Sequence, residues 1–396
     1  MLPGGPSLAA HASRTLATVG AVSGPRVLFV SKPIAPPWND GSKNLVRDVA
    51  RNLTRARATV LTTADGPSIG EHVALDRIYT APGRFAPGLA QNARVVRRLL
   101  TGDAHDVWHF VFAPNPASST MARVASRARR LAGWKGRVVQ TIASAPRSFD
   151  GVGQWIFGDA VVVVSEWMRG RLLGAGVERD VRVIQPCAEA PRPPSDEAKR
   201  DVRRKLDLGT APVVLYPGDY EVSRGAGTVA RAVGAIEKSV PGCVVVFACR
   251  AKTPKSHHAR AAVESDLRAA GLLDRTRHAG EVDDMAALLA SSSVVAFPVD
   301  DLYGKVDVPL VLIEALALGV PVVAARGGPL EALTSARFVD PEDDAALAAE
   351  VTRFLLEPTA ARDAAARGAS LFTARFHPRA VAAAYDDLYA ELLAGP

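Results

Sequence analysis

From Pro309 the chain reads Leu-Val-Leu-Ile, then Glu314, then Ala-Leu-Ala-Leu up to Gly319, so one carboxylate interrupts an otherwise apolar run. An unpaired carboxylate buried in such a run is costly, and Glu314 is tolerable only if it reaches a partner. That partner can be a ligand. Proline is favoured in the first turn of a helix and glycine just past its end, so the spacing predicts a helix from about Pro309 to Gly319. The free N–H groups at its start, around Leu310 and Val311, are available to an anion. Glu314 lies more than one turn further in, where it can accept hydrogen bonds from the hydroxyls of a ligand held at that end. A glutamate that caps or salt-bridges a neighbour is the plainer alternative. The next strand, "VPVVAA", runs into Gly327-Gly328-Pro329, a second backbone turn able to cradle phosphate at a helix start.

Other groups able to do chemistry also follow apolar stretches. Asp307 precedes the helix, with Lys305 two positions earlier. The loop "YPGDYEVSRGAG" carries Gly218, Asp219 and Arg224, and "VVVFAC" is followed by Arg250 and Lys252. Cations there can stabilise a departing phosphate, although solvated loop charges would look the same. Asp40-Gly41-Ser42-Lys43-Asn44 opens a helical stretch, where Gly41 permits close backbone approach and Lys43 adds a cation. His109, in "VWHFVF", sits inside an apolar strand and reads as a core histidine that can at most approach a cleft.

These groups need positioning by strands and helices, and the pattern supplies them. "RVLFVSKP" (26–33), "DVWHFVF" (106–112), "RVVQTIA" (137–143) and "AVVVVS" (160–165) are short apolar strands separated by helical stretches, as in a parallel sheet covered on both faces. After "RVIQPCAE" the Pro-rich, charged "APRPPSDEAKR" reads as a linker, and a second series follows: 211–218, 243–249, 293–298 and 320–325. The expected organisation is a flexible extension (1–23), a first Rossmann-like domain (24–188), a linker (189–208), a second Rossmann-like domain (209–376) and a closing amphipathic helix (377–396). Ligands of such sheets sit beyond the carboxyl ends of the strands, so two domains would face one another across a cleft.

Composition narrows the class. With 48% hydrophobic and 22% charged residues the chain is a soluble globular type, and no apolar run is long enough to span a bilayer. Cys187, Cys243 and Cys249 have no metal-ligand spacing and read as buried thiols in a reducing cytosol. The charge is uneven: residues 26–188 hold 23 Lys/Arg against 12 Asp/Glu, whereas 189–396 hold 24 against 29. Arg47, Arg51 and Arg55, then Arg94, Arg97 and Arg98, then Arg123, Arg127 and Arg130 form basic helix faces in the first half. Together they suit an anionic membrane surface or a phosphorylated lipid. Nucleic acid is not expected, because no aromatic platform or nucleic-acid module accompanies them.

"PLVLIEALALGVPVVAARGGPLEAL" resembles the donor-binding signature of glycosyltransferase family 4, of the GT-B fold, and the resemblance extends over most of residues 26–393. It implies two Rossmann-like domains, a C-terminal helix crossing back to the first, a nucleotide-diphosphate sugar as substrate, retention of configuration and no metal or other cofactor. Glu314 would hold ribose hydroxyls, with Gly218, Gly280, Pro309, Leu310, Val311, Gly327 and Gly328 lining the donor. Four departures stand out. The family's first Glu, eight residues before the second, is Val306, with Asp307 the nearest replacement. Its Arg and Lys after the first strand of the second domain are Asp219 and Arg224. Its first-domain His is Ala143, and its Gly-Gly pair is Asp40-Gly41. The reading is a cytoplasmic transferase, with an option of peripheral membrane contact, acting on a glycan or lipid-linked acceptor through Arg224, Asp307 and Glu314. A sugar-nucleotide epimerase, a phosphorylase and a degenerate binding module on the same fold are the alternatives.

Overall fold

The structure is a computed structural model that describes residues 24–38, 40–80, 88–251 and 253–395. The expected extension at 1–23 and Lys252 lie outside the described residues. Two wholly parallel sheets account for the strands. The first is built from β1 (Arg26–Val30), β2 (Arg57–Thr63), β3 (Ala74–Tyr79), β4 (Val107–Val111), β5 (Arg137–Ile142), β6 (Ala160–Val163) and β7 (Val181–Val183), in the order β3-β2-β1-β4-β5-β6-β7. The second contains β8 (Val213–Tyr216), β9 (Val244–Phe247), β10 (Thr276–His278), β11 (Val294–Phe297), β12 (Val322–Ala325) and β13 (Arg337–Val339), ordered β10-β9-β8-β11-β12-β13.

The central strands β4, β6, β8, β9, β11 and β12 are buried along their whole length, as continuous Val-rich runs must be when helices cover both faces. Sequence reading found these and missed β2, β3, β10 and β13. β10 and β13 are three-residue edge strands, and β3 is an edge strand with mostly half-exposed side chains, so none presents a long apolar run. In each sheet the chain winds outward from a central strand and returns to its other side. The loops after β8 and β11 therefore leave in opposite directions and open a crevice between them, as do those after β1 and β4.

The stretch expected to be a linker is coil only through its Pro-rich part. Helix Asp196–Lys205 follows, with Ser195 Oγ accepting from Ala198 N at 3.1 Å. Arg203 then ties the helix down by donating to the carbonyls of Gly209, Ala211 and Ser291. The signal was present in Ser195-Asp196-Glu197, a capping residue followed by acids in the first turn.

Helix Pro378–Ala394 crosses back onto the first sheet. Its Val381, Ala382, Tyr385, Leu388 and Tyr389 join that sheet's core. Asp386, buried, accepts from the backbone N–H groups of Thr54 and Arg55 through Oδ2 (2.9 and 3.0 Å) and of Ala56 through Oδ1 (2.9 Å). One side chain thus satisfies three donors left over where helix Gly41–Asn52 ends. Tyr389 OH lies 2.6 Å from His109 Nδ1, and Thr141 Oγ1 lies 2.7 Å from Nε2. Both ring nitrogens of His109 are therefore used inside the fold, and burial holds its pKa down at about 3. His109 is a core residue that fastens the closing helix, in line with the core reading, and the alternative that it approaches the cleft beside the acceptor and phosphate loop is set aside by its burial.

Candidate functional site

The helix that carries Glu314 runs from Leu310 to Ala317. It ends in a Schellman motif: Gly319 takes φ +70°, while Val320 N donates to Ala315 O (2.9 Å) and Gly319 N to Leu316 O (3.1 Å). Leu312, Ile313, Ala315 and Leu316 enter the second sheet's core. Leu310, Val311, Glu314, Ala317 and Leu318 form the opposite, partly exposed stripe. The apolar run therefore hides two faces, and Glu314 lies on the partly exposed one, whose apolar members pack against the margin of the core.

The Glu314 carboxylate has no hydrogen bond or ion pair among the described residues. Burial, with Asp48 adding negative charge nearby, raises its pKa to about 7. Asp48 lies on helix Gly41–Asn52, so Glu314 faces the other half of the molecule. Asp48 is itself buried and accepts from Arg47 at 2.6 and 3.0 Å, yet burial still holds its carboxyl above the usual range.

The segment Tyr303–Asp307 bridges the two halves. Val306 packs into the first sheet's core, and a methyl on Gly41 would come within 2.6 Å of its Cγ2. The glycine of the first loop is thus required for the approach of Val306. Asp307, only 2% exposed, accepts from Ser165 Oγ through Oδ2 at 2.5 Å, and its N–H donates to the Ala143 carbonyl at 3.4 Å. Arg147 Nε donates to Tyr303 OH at 2.7 Å. Asp307 was expected to reach a donor sugar; its carboxylate is instead committed to Ser165 and shielded from the crevice. Desolvation raises its pKa to about 7, against the opposing effect of the Ser165 hydroxyl.

Across the crevice between the β8 and β11 loops stand two ion pairs. Lys305 Nζ meets Asp219 Oδ2, while Asp219 Oδ1 accepts from Val222 N (2.7 Å) and Ser223 N (3.4 Å). Arg224 donates to Asp300 Oδ2 from Nε (2.9 Å) and Nη2 (2.6 Å), and its Nη1 meets Glu342. Arg224 is therefore clasped by two carboxylates while remaining 62% exposed. Gly218 brings the loop backbone over the Tyr216 ring, where a methyl would fall within 2.2 Å of Cζ. Arg250 makes a long contact, 3.5 Å, with Glu281, the residue after Gly280, which takes φ +68°.

Two expected anion-binding elements are already in use. Gly327 adopts φ +80°, but its N–H donates to Glu331 Oε1 at 2.8 Å, and Gly328-Pro329 leads into a four-residue 3-10 turn in place of a full helix. Asp40 caps helix Gly41–Asn52, accepting from Ser42 N (3.0 Å) and Lys43 N (3.2 Å), and pairs with Lys32 at 2.7 Å. Lys43 is buried and donates to the Pro37 carbonyl at 3.3 Å, and Asn44 Nδ2 to that of Trp38 at 3.1 Å. This loop builds the seat for Val306 and presents no free cation. Sequence reading missed Asp48, Ser165, Asp300 and Glu342; single acids and a serine in different segments carry no spacing signal, although Asp300 does follow an apolar strand.

The comparisons with known proteins agree along the chain. Residues 39–190 match the family model described as Glycosyltransferase Family 4, and residues 211–357 match Glycosyl transferases group 1. A GDP-mannose-dependent alpha-(1-6)-phosphatidylinositol monomannoside mannosyltransferase of Mycobacterium tuberculosis is 26% identical over 320 residues, 76% of this chain and 81% of that protein. The protein of the same description from Mycolicibacterium smegmatis is 28% identical over 287 residues, 70% and 73% of the two chains. Among solved structures, Anabaena Alr3699/HepE in complex with UDP-glucose superposes with a TM-score of 0.69 at 18% identity, covering 93% of this chain and 99% of that one. Sucrose-phosphate synthase from Thermosynechococcus elongatus gives 0.71 at 20% identity, covering 94% and 99%.

The buried Asp307 gives a pH prediction. Its folded pKa lies above the ordinary value of 3.8, so the folded state binds its proton more tightly. That stabilisation is complete at low pH and is lost as pH rises through about 7. Asp307→Asn keeps an acceptor for Ser165 without ionising. The melting temperature of this variant relative to wild type should increase between pH 5 and pH 8; parallel pH profiles for the two proteins would contradict the assignment.

Proposed function

Because this chain belongs to the group 1, family 4 glycosyltransferases of GT-B fold, we propose that it transfers a hexose from a nucleoside diphosphate sugar bound at the second sheet to a glycan or lipid-linked acceptor at the first. The observation that carries this reading is Glu314: a carboxylate with no partner among the described residues, on the partly exposed face of a helix that otherwise buries only apolar side chains. Ribose hydroxyls would donate to it and relieve its desolvation. Nucleotide phosphates would meet the helix start at Pro309, Leu310 and Val311, which has no side-chain cap. Gly218 and Gly280 would let the backbone come close to the donor.

In the transfer the bond from the anomeric carbon to the diphosphate oxygen breaks, and its electron pair stays on that oxygen. The acceptor hydroxyl oxygen bonds to the same carbon, on the same face in a retaining reaction, and its proton passes to the departing diphosphate. Such chemistry depends on positioning and on electrostatic stabilisation of the leaving group. Arg224 and Arg250 are the cations the sequence reading offered for the second task, with Arg224 held by Asp300 and Glu342 in the unliganded protein, and the reading needs no metal. The mycobacterial relatives are named for GDP-mannose and a phosphatidylinositol mannoside, which makes GDP-mannose the first donor to test and supports a lipid-linked acceptor. The clasp of Asp300 and Glu342 on Arg224 favours a second reading, a module that binds a nucleotide sugar without turning it over.

No helix among the described residues is long and apolar enough to cross a membrane. A lipid-linked acceptor would then be met at the membrane surface. Of the nine arginines in the basic faces, Arg55, Arg98 and Arg130 are paired with Asp387, Asp76 and Asp159, Arg47 with Asp48, and Arg123 donates to backbone carbonyls. Among the described residues Arg51, Arg94, Arg97 and Arg127 have no such partner, and the last three lie on the adjoining helices Leu89–Thr101 and Pro116–Leu131. Val124 (61% exposed) and Leu131 (91% exposed) share the Arg127 stripe, so cations and apolar side chains project together, as an interfacial helix requires.

Two outcomes are expected. Glu314→Ala should weaken nucleoside diphosphate binding, measured by calorimetry, by about 1–3 kcal/mol without lowering the melting temperature of the unliganded protein; normal binding would leave Glu314 with a structural role only. Wild type should co-sediment with phosphatidylglycerol-containing vesicles at low salt and be released as salt rises, and replacing Arg94, Arg97 and Arg127 together by Ala should abolish this. Equal recovery from anionic and neutral vesicles would sink the membrane reading.

A further inference from the structure

We propose that Lys305 is the cation that meets the departing diphosphate, and that Asp219 is its resting partner when the site is empty; the proposal rests on the transferase reading above. Lys305 comes from the loop after β11 and Asp219 from the loop after β8, so their contact spans the topological switch point of the second sheet. Charge from both Asp219 and Lys305 is also felt at Cys249, just beyond β9. The ammonium therefore lies near the carboxyl ends of the central strands β8 and β9.

The other described cation bridging this crevice is less available. Arg224 has two carboxylate partners, one of them bonded through two side-chain nitrogens, and its backbone N–H also donates to Asp300 Oδ1 at 3.2 Å. A ligand would have to break that clasp at both Asp300 and Glu342. Lys305 has a single carboxylate partner, and that carboxylate keeps two backbone donors, Val222 and Ser223, when the lysine leaves. Lys305 is 32% exposed, enough for its Nζ to swing, while its own N–H is anchored on the Leu302 carbonyl at 2.9 Å. Asp219 thus stores the lysine in place, and diphosphate oxygens compete for it.

As the anomeric C–O bond breaks, the electron pair left on the diphosphate oxygen is stabilised by the Lys305 ammonium, which keeps its proton. The acceptor's proton goes to the departing phosphate oxygen, so Lys305 acts through charge alone.

The test uses the full chain and whichever of GDP, UDP, ADP or dTDP raises its melting temperature most, beside the matching nucleoside monophosphate. Lys305→Ala should weaken the diphosphate about tenfold and the monophosphate less than threefold, and Lys305→Arg should restore most of the loss. Asp219→Ala, which frees the lysine, should hold or improve diphosphate affinity. In steady state, Lys305→Ala should lower kcat more than it raises the donor KM. If wild type binds none of the four diphosphates, the transferase reading fails and this proposal with it. If wild type binds but Lys305→Ala loses both ligands equally, or neither, Lys305 is not the diphosphate cation while the transferase reading stands. Loss of diphosphate binding in Asp219→Ala, equal to that in Lys305→Ala, would also overturn it by making the pair structural.

Discussion

The site depends on where the segment Tyr303–Asp307 is seated. This loop leaves β11 of the second sheet, yet Val306 is buried among first-sheet side chains, Asp307 is held by Ser165, and Tyr303 by Arg147. Each contact falls on a loop at the carboxyl end of a first-sheet strand: Gly41 follows β1, Ala143 and Arg147 follow β5, and Ser165 follows β6. The same few residues thus fix the distance between the sheets, place Lys305 over Asp219 and start the helix that carries Glu314. A buried carboxyl at this joint is costly when ionised, so the geometry that assembles the crevice is also sensitive to proton concentration.

How much of this was legible in the sequence follows from what each feature needs. The α/β alternation, the two sheets and the closing helix were readable because buried parallel strands write themselves as unbroken apolar runs and helices as a 3.6-residue period, whereas the helix's return to the first domain was implied by the family resemblance. The short edge strands β10 and β13 leave no such run. Gly319 as a helix stop is a local event, set by a few neighbouring residues. Glu314 was singled out for its mismatch with its surroundings, and the structure leaves it partly exposed, near Asp48, with no hydrogen-bond or ion-pair partner among the described residues. The partners of His109, Lys43 and Asp307, namely Tyr389, the Pro37 carbonyl and Ser165, were out of reach for one reason: they are chosen by tertiary packing, which neither spacing nor composition encodes. The same holds for the basic faces, where residue type gave the charge but only packing shows which arginines are already spent.

The departures from the family pattern form a connected set in the structure. Val306 replaces a carboxylate and fills the niche above Gly41. Ala143 replaces a histidine and offers its carbonyl to the Asp307 N–H. Asp219 stands where the resemblance expects a cation, and it holds Lys305 from another loop. Each substitution alone reads as a loss of function, whereas together they describe a joint between the sheets rebuilt with different side chains.

The central claim is that this rebuilt crevice still transfers a sugar. The most direct measurement mixes the protein with label-carrying GDP-mannose and a phosphoinositide-containing anionic vesicle, and follows both label in the lipid fraction and nucleoside diphosphate in solution, repeating with other donors if mannose is not moved. The account predicts one nucleoside diphosphate released for each hexose found on lipid, with release falling to background when acceptor is omitted. A nucleotide sugar that binds tightly yet is never consumed, across a broad panel of donors and acceptors, would contradict it and leave a binding module on the same fold.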